Sequence, residues 1–213
     1  MITIIDYDIG NLGSIANALT RLGRKFQICR DPAVIQKATT LILPGVGAAK
    51  AGMENLKKRN LDKVISQNLK NGCRFLGICL GMQLLFDYSE EGDAACLGIL
   101  KGKVKRFQKM RKIPQIGWNR VALKHLPGGQ WTSWQVKELN QQLFNGVANN
   151  SYFYFVNSYY CIPEDKSIIT GITDYGEKFA SMIVKNNIVA TQFHPEKSGK
   201  AGFQLLKNFL NSC

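Results

Sequence analysis

Along the first half of the chain, short unbroken apolar runs alternate with stretches whose apolar residues recur every three or four positions. Ile2 to Ile5 reads as a buried strand. Asn11 is placed to cap a helix whose apolar positions are Leu12, Ile15, Ala16 and Leu19, with Gly23 at its end. A strand over Phe26 to Cys29, a helix start at Asp31-Pro32 and a strand over Thr40 to Leu43 follow. Leu61, Val64, Ile65 and Leu69 then form a helical stripe closed by Gly72, ahead of the apolar run Phe75 to Ile78. This alternation predicts parallel strands joined by helical crossovers. Such sheets are covered on both faces, which is why their strands read as continuous apolar runs.

The second half changes period. Leu97 to Phe107, Ile113 to Trp118, Tyr152 to Tyr160, Ile168 to Thr173, Ala180 to Val184 and Ile188 to Gln192 read as successive strands, with Asn186-Asn187 as a tight hairpin turn. An amphipathic helix over Ala201 to Leu210 closes the chain. No repeat, low-complexity tract or linker divides it, so the pattern predicts one α/β domain over residues 1–213. Its sheet is mixed and mostly parallel, flanked by helices, with an antiparallel extension in the C-terminal half.

The 213 residues are 45% hydrophobic, enough for a buried core. No apolar stretch reaches the roughly 18 to 20 residues needed to span a bilayer, and the first residues lack a basic n-region followed by an apolar h-region. The expectation is a cytoplasmic protein with no membrane association. Six cysteines without a CxxC pair predict neither a metal site nor a disulfide scaffold, and no cofactor motif is present. Charge is the exception to this plain composition. The net of +13 comes mostly from one region, Ala94 to Lys137, which has no acidic residue and ten basic ones, including Lys101, Lys103, Lys105, Arg106, Lys109, Arg111 and Lys112. Such a patch suits phosphates, a membrane surface or an acidic protein face, and Coulomb attraction alone does not choose among them. It carries no RNP-type aromatic signature or helix-turn-helix pattern, which argues against nucleic acid as partner.

The sharpest chemical feature is Gly77-Ile78-Cys79-Leu80-Gly81, which follows an apolar strand and leads into a helical stretch from Met82 to Phe86. It has the form of a nucleophile elbow with cysteine as nucleophile. A turn that sharp leaves no room for a Cβ on either side, and it presents a thiol at a helix start, where the reactive thiolate is favoured. Alone, the pentapeptide is better read as a structural cysteine between packing glycines. Gln192-Phe193-His194-Pro195-Glu196 changes that reading, because a nucleophile needs a base and the base needs an acceptor that fixes its tautomer. His125, the other histidine, lies in a basic stretch without an acidic neighbour. His194 ends a strand, and Pro195 is expected to keep the backbone extended, so that Glu196, two residues on, points the same way. Cys79, His194 and Glu196 are therefore the expected triad. Oxyanion donors are expected from the backbone of Val46 and Gly47, within Leu43 to Ala48, together with Leu80. That glycine-rich segment matches neither a phosphate loop nor a dinucleotide fingerprint, and a bland turn remains open.

Taken in order, these segments resemble the class I, triad-type glutamine amidotransferases. The resemblance runs through Asp6-Tyr7, Gly10-Asn11-Leu12, Leu43 to Ala48, Leu76 to Leu85, Pro114 with Gly117-Trp118-Asn119, Tyr154-Phe155-Val156 with Ser158-Tyr159, and Gln192 to Ser198. The branch it most resembles feeds ammonia to a (β/α)8-barrel synthase subunit of histidine biosynthesis. The resemblance implies a glutaminase acting through a Cys79 thioester, with L-glutamine held around Gly45, Gly47, Gln83, Glu91, Ser158 and Tyr159. It implies a heterodimer docked through Asn11, Ile116, Trp118, Asn119 and Lys197. The chain departs from the family pattern at Asp8, Gln115 and Asn157, where glycine, histidine and histidine are usual. Two other readings stay open: a paralogous glutaminase serving a different synthase, such as one aminating a sugar nucleotide for a surface polysaccharide, and a cysteine hydrolase acting on another amide or a peptide.

Overall fold

The computed structural model describes residues 1–108, 112–124 and 142–211; His125, Lys109, Arg111, Lys137 and Cys213 lie outside the described residues. Its first half is built as the apolar pattern requires. Strand β1 (Ile2–Ile5) leads to helix α1 (Leu12–Arg21), whose cap Asn11 accepts the Ser14 amide, and then to β2 (Phe26–Cys29). Asp31 caps the short α2 (Pro32–Ile35) through the Ala33 amide. Next come β3 (Thr40–Gly45), α3 (Ala49–Lys58), α4 (Leu61–Lys70) and β4 (Arg74–Cys79). Helix α3 escapes the periodicity reading because its cap residue, Ala48, makes no side-chain capping bond and its stripe is broken by Gly52.

After β4 the chain makes one helical turn, α5 (Leu80–Gln83), rather than the longer helix over Met82 to Phe86 that the apolar run suggested. Two small strands, β5 (Tyr88–Ser89) and β6 (Ala94–Ala95), precede β7 (Gly102–Arg106). Leu97–Leu100 is not strand, because its amides bond back to Leu84, Phe86 and Leu85. The remaining strands are β8 (Gln115–Leu123), β9 (Ser151–Asn157), β10 (Tyr159–Pro163), β11 (Ile169–Asp174), β12 (Lys178–Lys185) and β13 (Ile188–Thr191), followed by α6 (Gly199–Asn211). The single stretch expected over Tyr152 to Tyr160 is broken at Ser158. The turn at Asn186-Asn187 pairs Lys185 with Ile188, with Asn186 at φ 52°.

Among the described residues all strands join one sheet, ordered β2-β1-β3-β4-β13-β12-β10-β7-β5-β6, with β11, β8 and β9 branching from β12. β2, β1, β3, β4 and β13 run parallel, and the strands beyond β13 pair antiparallel except for β5 with β7. Alternate residues of the parallel strands feed two cores. Ile4, Ile42, Leu76 and Ile78 pack with α1 and α6, while Ile5, Leu41, Leu43 and Phe75 pack with α3 and α4. A single α/β domain results. No helix among the described residues is long and apolar enough to cross a membrane.

The order places β13 beside β4, with Thr191 opposite Ile78, and β3 on the other side, with Gly45 opposite Cys79. The segments after these three strands therefore leave the sheet at one edge, the carboxyl edge where open α/β sheets bind ligands. The close packing there sets a testable limit. A Cβ at Gly81 would overlap the Leu43 carbonyl oxygen, whereas one at Gly23 meets nothing and suffers only from φ +65°. Gly81→Ala should cost about 3 kcal/mol and Gly23→Ala about 1 kcal/mol in urea unfolding; equal costs would contradict the fit.

Candidate functional site

Cys79 sits between strand and helix at φ 54°, ψ −107°, a conformation that costs a non-glycine residue on the order of 1–3 kcal/mol. The flanking glycines permit it. A Cβ at Gly77 would lie 2.7 Å from the Gly81 carbonyl oxygen, and Gly81 is pressed against β3. The thiol is only 6% exposed, at the wall of a cavity of about 260 Å3. Its sulfur lies 3.7 Å from the Val156 carbonyl oxygen and 3.5 Å from Gln192 Nε2.

His194 reaches the thiol because β13 runs beside β4 and because Phe193, fully buried, wedges against Phe153 and Phe155. Its amide bonds the Tyr154 carbonyl, and its own carbonyl accepts the Ser198 hydroxyl at 2.6 Å. The imidazole is coupled electrostatically to Cys79, and its Nδ1 is hydrogen-bonded at 2.9 Å to Glu196 Oε1, a carboxylate whose side chain is only 2% exposed. Glu196 is not aligned by extended backbone: Pro195–Lys197 is a 3-10 turn closed by bonds from Lys197 to the His194 carbonyl and from Ser198 to the Pro195 carbonyl. Proline suits the first position of such a turn, where no donor is required. Within it the carboxylate folds back onto the ring.

Burial works against a charged ring, but the hydrogen bonds and charges of Cys79 and Glu196 more than offset it, holding the His194 pKa up to about 10. The site is thus arranged to stabilise imidazolium. Around it, Val46, Gly47, Leu80, Gln83, Glu91, Ser158 and Tyr159 all line the cavity, together with Ala48, Pro114, Val156 and Asn157. Gly45, expected among the substrate contacts, is not on this wall. It is packed beneath it, where a Cβ would collide with the Tyr7 hydroxyl and Leu80. Gly47 takes φ +106° with open space where a Cβ would stand, so its backbone rather than crowding requires glycine. Glu91 accepts the Ala49 amide at 3.0 Å, and burial pushes its pKa up despite that bond.

Gln192 joins the site although no role is expected for it from the sequence. It is fully buried, donates to the Cys79 sulfur, and accepts from Gln83 Nε2 at 3.0 Å, while Gln83 also donates to the Tyr159 carbonyl. This amide relay ties the thiol to the cavity wall. Its signal in the sequence was an uncharged polar residue ending an apolar strand two places before the base. The residues expected to meet a partner lie on the outer surface near the cavity: Ile116 and Trp118 are 63% and 55% exposed, and Asn11 and Lys197 are exposed as well. Asn119 is tied down instead, donating to the Asp174 carbonyl. Among the described residues no cluster of three or more His, Cys, Asp or Glu is arranged to hold a metal ion.

A glycine-flanked cysteine at a strained turn, coupled to a carboxylate-supported histidine, is the arrangement of a thiol amidohydrolase. The family model "Glutamine amidotransferase class-I" matches residues 3–213, and the chain belongs to that family and is a glutamine amidotransferase. It is 45% identical over 210 residues to the imidazole glycerol phosphate synthase subunit HisH of Dehalococcoides mccartyi, covering 98% of this chain and 96% of the relative. It is also 45% identical to the HisH subunit of Aquifex aeolicus, over 97% and 94% of the two chains. Within the family, the chain therefore groups with the HisH subunits. A solved glutamine amidotransferase superposes over 100% of this chain and 98% of its own with TM-score 0.73 at 16% identity, and one from Thermotoga maritima over 98% and 95% with TM-score 0.68 at 15% identity.

The raised pKa of His194 has a consequence for stability. In the unfolded chain the ring titrates near 6.5 and in the folded chain near 10. Its contribution is therefore complete below about pH 6.5 and lost as the pH rises to about 10. The thermal midpoint of the wild type should fall more steeply across this window than that of His194→Asn, measured by calorimetry at matched pH. Parallel profiles would contradict the assignment.

Proposed function

We propose that the chain is the glutaminase subunit of an imidazole glycerol phosphate synthase, hydrolysing L-glutamine to glutamate and ammonia and passing the ammonia to a (β/α)8-barrel partner. The observation that carries this is the buried Cys79–His194–Glu196 array opening on a small cavity lined by Gln83, Glu91 and the backbone after β3. The thiolate attacks the side-chain amide carbon. The developing oxyanion is met by backbone amides from Val46, Gly47 and Leu80, which line the same cavity. Imidazolium gives its proton to the departing nitrogen, so ammonia leaves and a thioester remains; the neutral ring then takes a proton from the water that attacks the thioester. Glu196 holds Nδ1 throughout. Glu91, half-buried at the cavity wall, suits the substrate ammonium, and Ser158 and Tyr159 bound the opposite side.

The docking face follows from exposure. Ile116, Trp118, Tyr152 and Val156 form an apolar patch on the outer side of β8 and β9, continuous with the Val156 wall of the cavity. Exposed patches of this type mark protein contacts. Lys197 and the exposed Lys101, Lys103 and Arg106 supply a basic rim that suits an acidic partner surface, and exposed Asn11 adds a neutral polar contact.

Two outcomes test the proposal. Cys79→Ala, assayed with the barrel partner present, should lose glutamine hydrolysis on the order of a million-fold; retained turnover would refute the thioester. Neutralising Lys101, Lys103 and Arg106 together should slow association with the partner at least about tenfold at low salt and flatten its salt dependence. Unchanged stopped-flow association rates would remove the basic rim from the docking face.

A further inference from the structure

Beside the cavity are two buried side-chain oxygens that the reaction as described does not use. Gln115 is 3% exposed and Asn157 is 5% exposed, and Gln115 Oε1 and Asn157 Oδ1 have no hydrogen-bond partner. Each such orphan acceptor costs about 1–3 kcal/mol if it stays unpaired. The two residues stand directly opposite each other on β8 and β9. Both belong to the inward-facing rows, which continue as Val121 and Leu123 on β8 and as Phe153 and Phe155 on β9. Cross-strand partners have Cβ atoms about 4.5–5.5 Å apart. Their relation to the chemistry is close. Asn157 lines the cavity, Gln115 follows the cavity residue Pro114, and the carbonyl of Val156, next to Asn157, lies 3.7 Å from the Cys79 sulfur. The Asn157 amide nitrogen is already committed to the Tyr159 carbonyl at 2.9 Å, which fixes its oxygen as the free end.

With the Asn157 amide nitrogen turned to Tyr159 and both side-chain oxygens unmet, the pair calls for an occupant rich in N–H. We propose that Gln115 and Asn157 form the leaving-group subsite of the glutaminase, receiving the two N–H groups of the scissile carboxamide and then the ammonia it becomes. The inference rests on the reading of the chain as a glutaminase. In the step concerned, the bond from the Cys79 sulfur to carbon forms as the carbon–nitrogen bond breaks. The nitrogen keeps the broken pair and takes a proton from the His194 imidazolium. Ammonia leaves with three N–H groups, and the two side-chain oxygens accept two of them.

The test compares two acyl donors that share a γ-glutamyl group but differ in the leaving group. Glutamine releases ammonia, whereas the γ-methyl ester of glutamate releases methanol and offers no N–H at that position. Gln115→Met keeps the length of the side chain and removes the acceptor. Both kcat/KM values are measured on one preparation of the complex with the barrel partner, so the folded fraction cancels in their ratio. The amide-to-ester ratio of Gln115→Met should fall about tenfold below that of the wild type, the loss of one hydrogen bond confined to the amide. Its thermal midpoint should be unchanged or raised, because an orphan buried oxygen has gone. A ratio within twofold of the wild type overturns the inference, whether both rates fall together or neither changes. A wild-type complex inactive on both donors overturns the glutaminase reading, and this inference with it.

Discussion

The molecule is organised around one backbone turn. Cys79 leaves β4 at positive φ, and it can do so only because the places where neighbouring Cβ atoms would stand are taken by the Gly81 and Leu43 carbonyls. The strain of this residue is carried by the packing of β3, β4 and α5 around it, a common use of stored conformational energy at functional sites. Relaxing the turn would let the sulfur swing away from the cavity, and neither the imidazole behind it nor the backbone after β3 could meet it.

The second constraint is strand order. His194 is far from Cys79 in sequence, and a hairpin could not bring them together. They meet because β13 inserts beside β4 in parallel register, so that the residues after Thr191 continue past the end of Ile78. The 3-10 turn at Pro195 then brings Glu196 back onto the ring, and the Ser198 hydroxyl clamps the His194 carbonyl. The three side chains are therefore held by elements of the sheet and by one tight turn. The cavity is enclosed from the other side by β9, β10 and the backbone after β3.

Much of this was legible in the chain itself because the relevant signals are local. The strands over Ile2–Ile5 and Phe26–Cys29 have the bounds their apolar runs suggest, and Asn11 and Asp31 cap the helices they precede. The pairing of Cys79 with His194 was legible because a thiol nucleophile requires a base and the chain has only two histidines. What stayed hidden depends on long-range packing. The polar pairing of Gln83 with Gln192 cannot be read from two glutamines 109 residues apart. The burial of Gly45 beneath the cavity wall follows from Tyr7 approaching from β1. The break at Ser158 arises because its carbonyl bonds Phe107, which turns the chain from β9 into β10. The extended geometry expected for His194 to Glu196 fails because proline opens a helical turn as readily as it extends a strand.

The central claim is that glutamine is opened by the sulfur of Cys79. Its most direct measurement is to mix the complex with glutamine, quench in acid during turnover, digest, and locate the modified peptide by mass spectrometry. The account predicts a glutamyl adduct on the peptide carrying Cys79, absent when His194 is replaced. Glutamine turnover with no adduct on that peptide, or with the adduct on another cysteine, would contradict it.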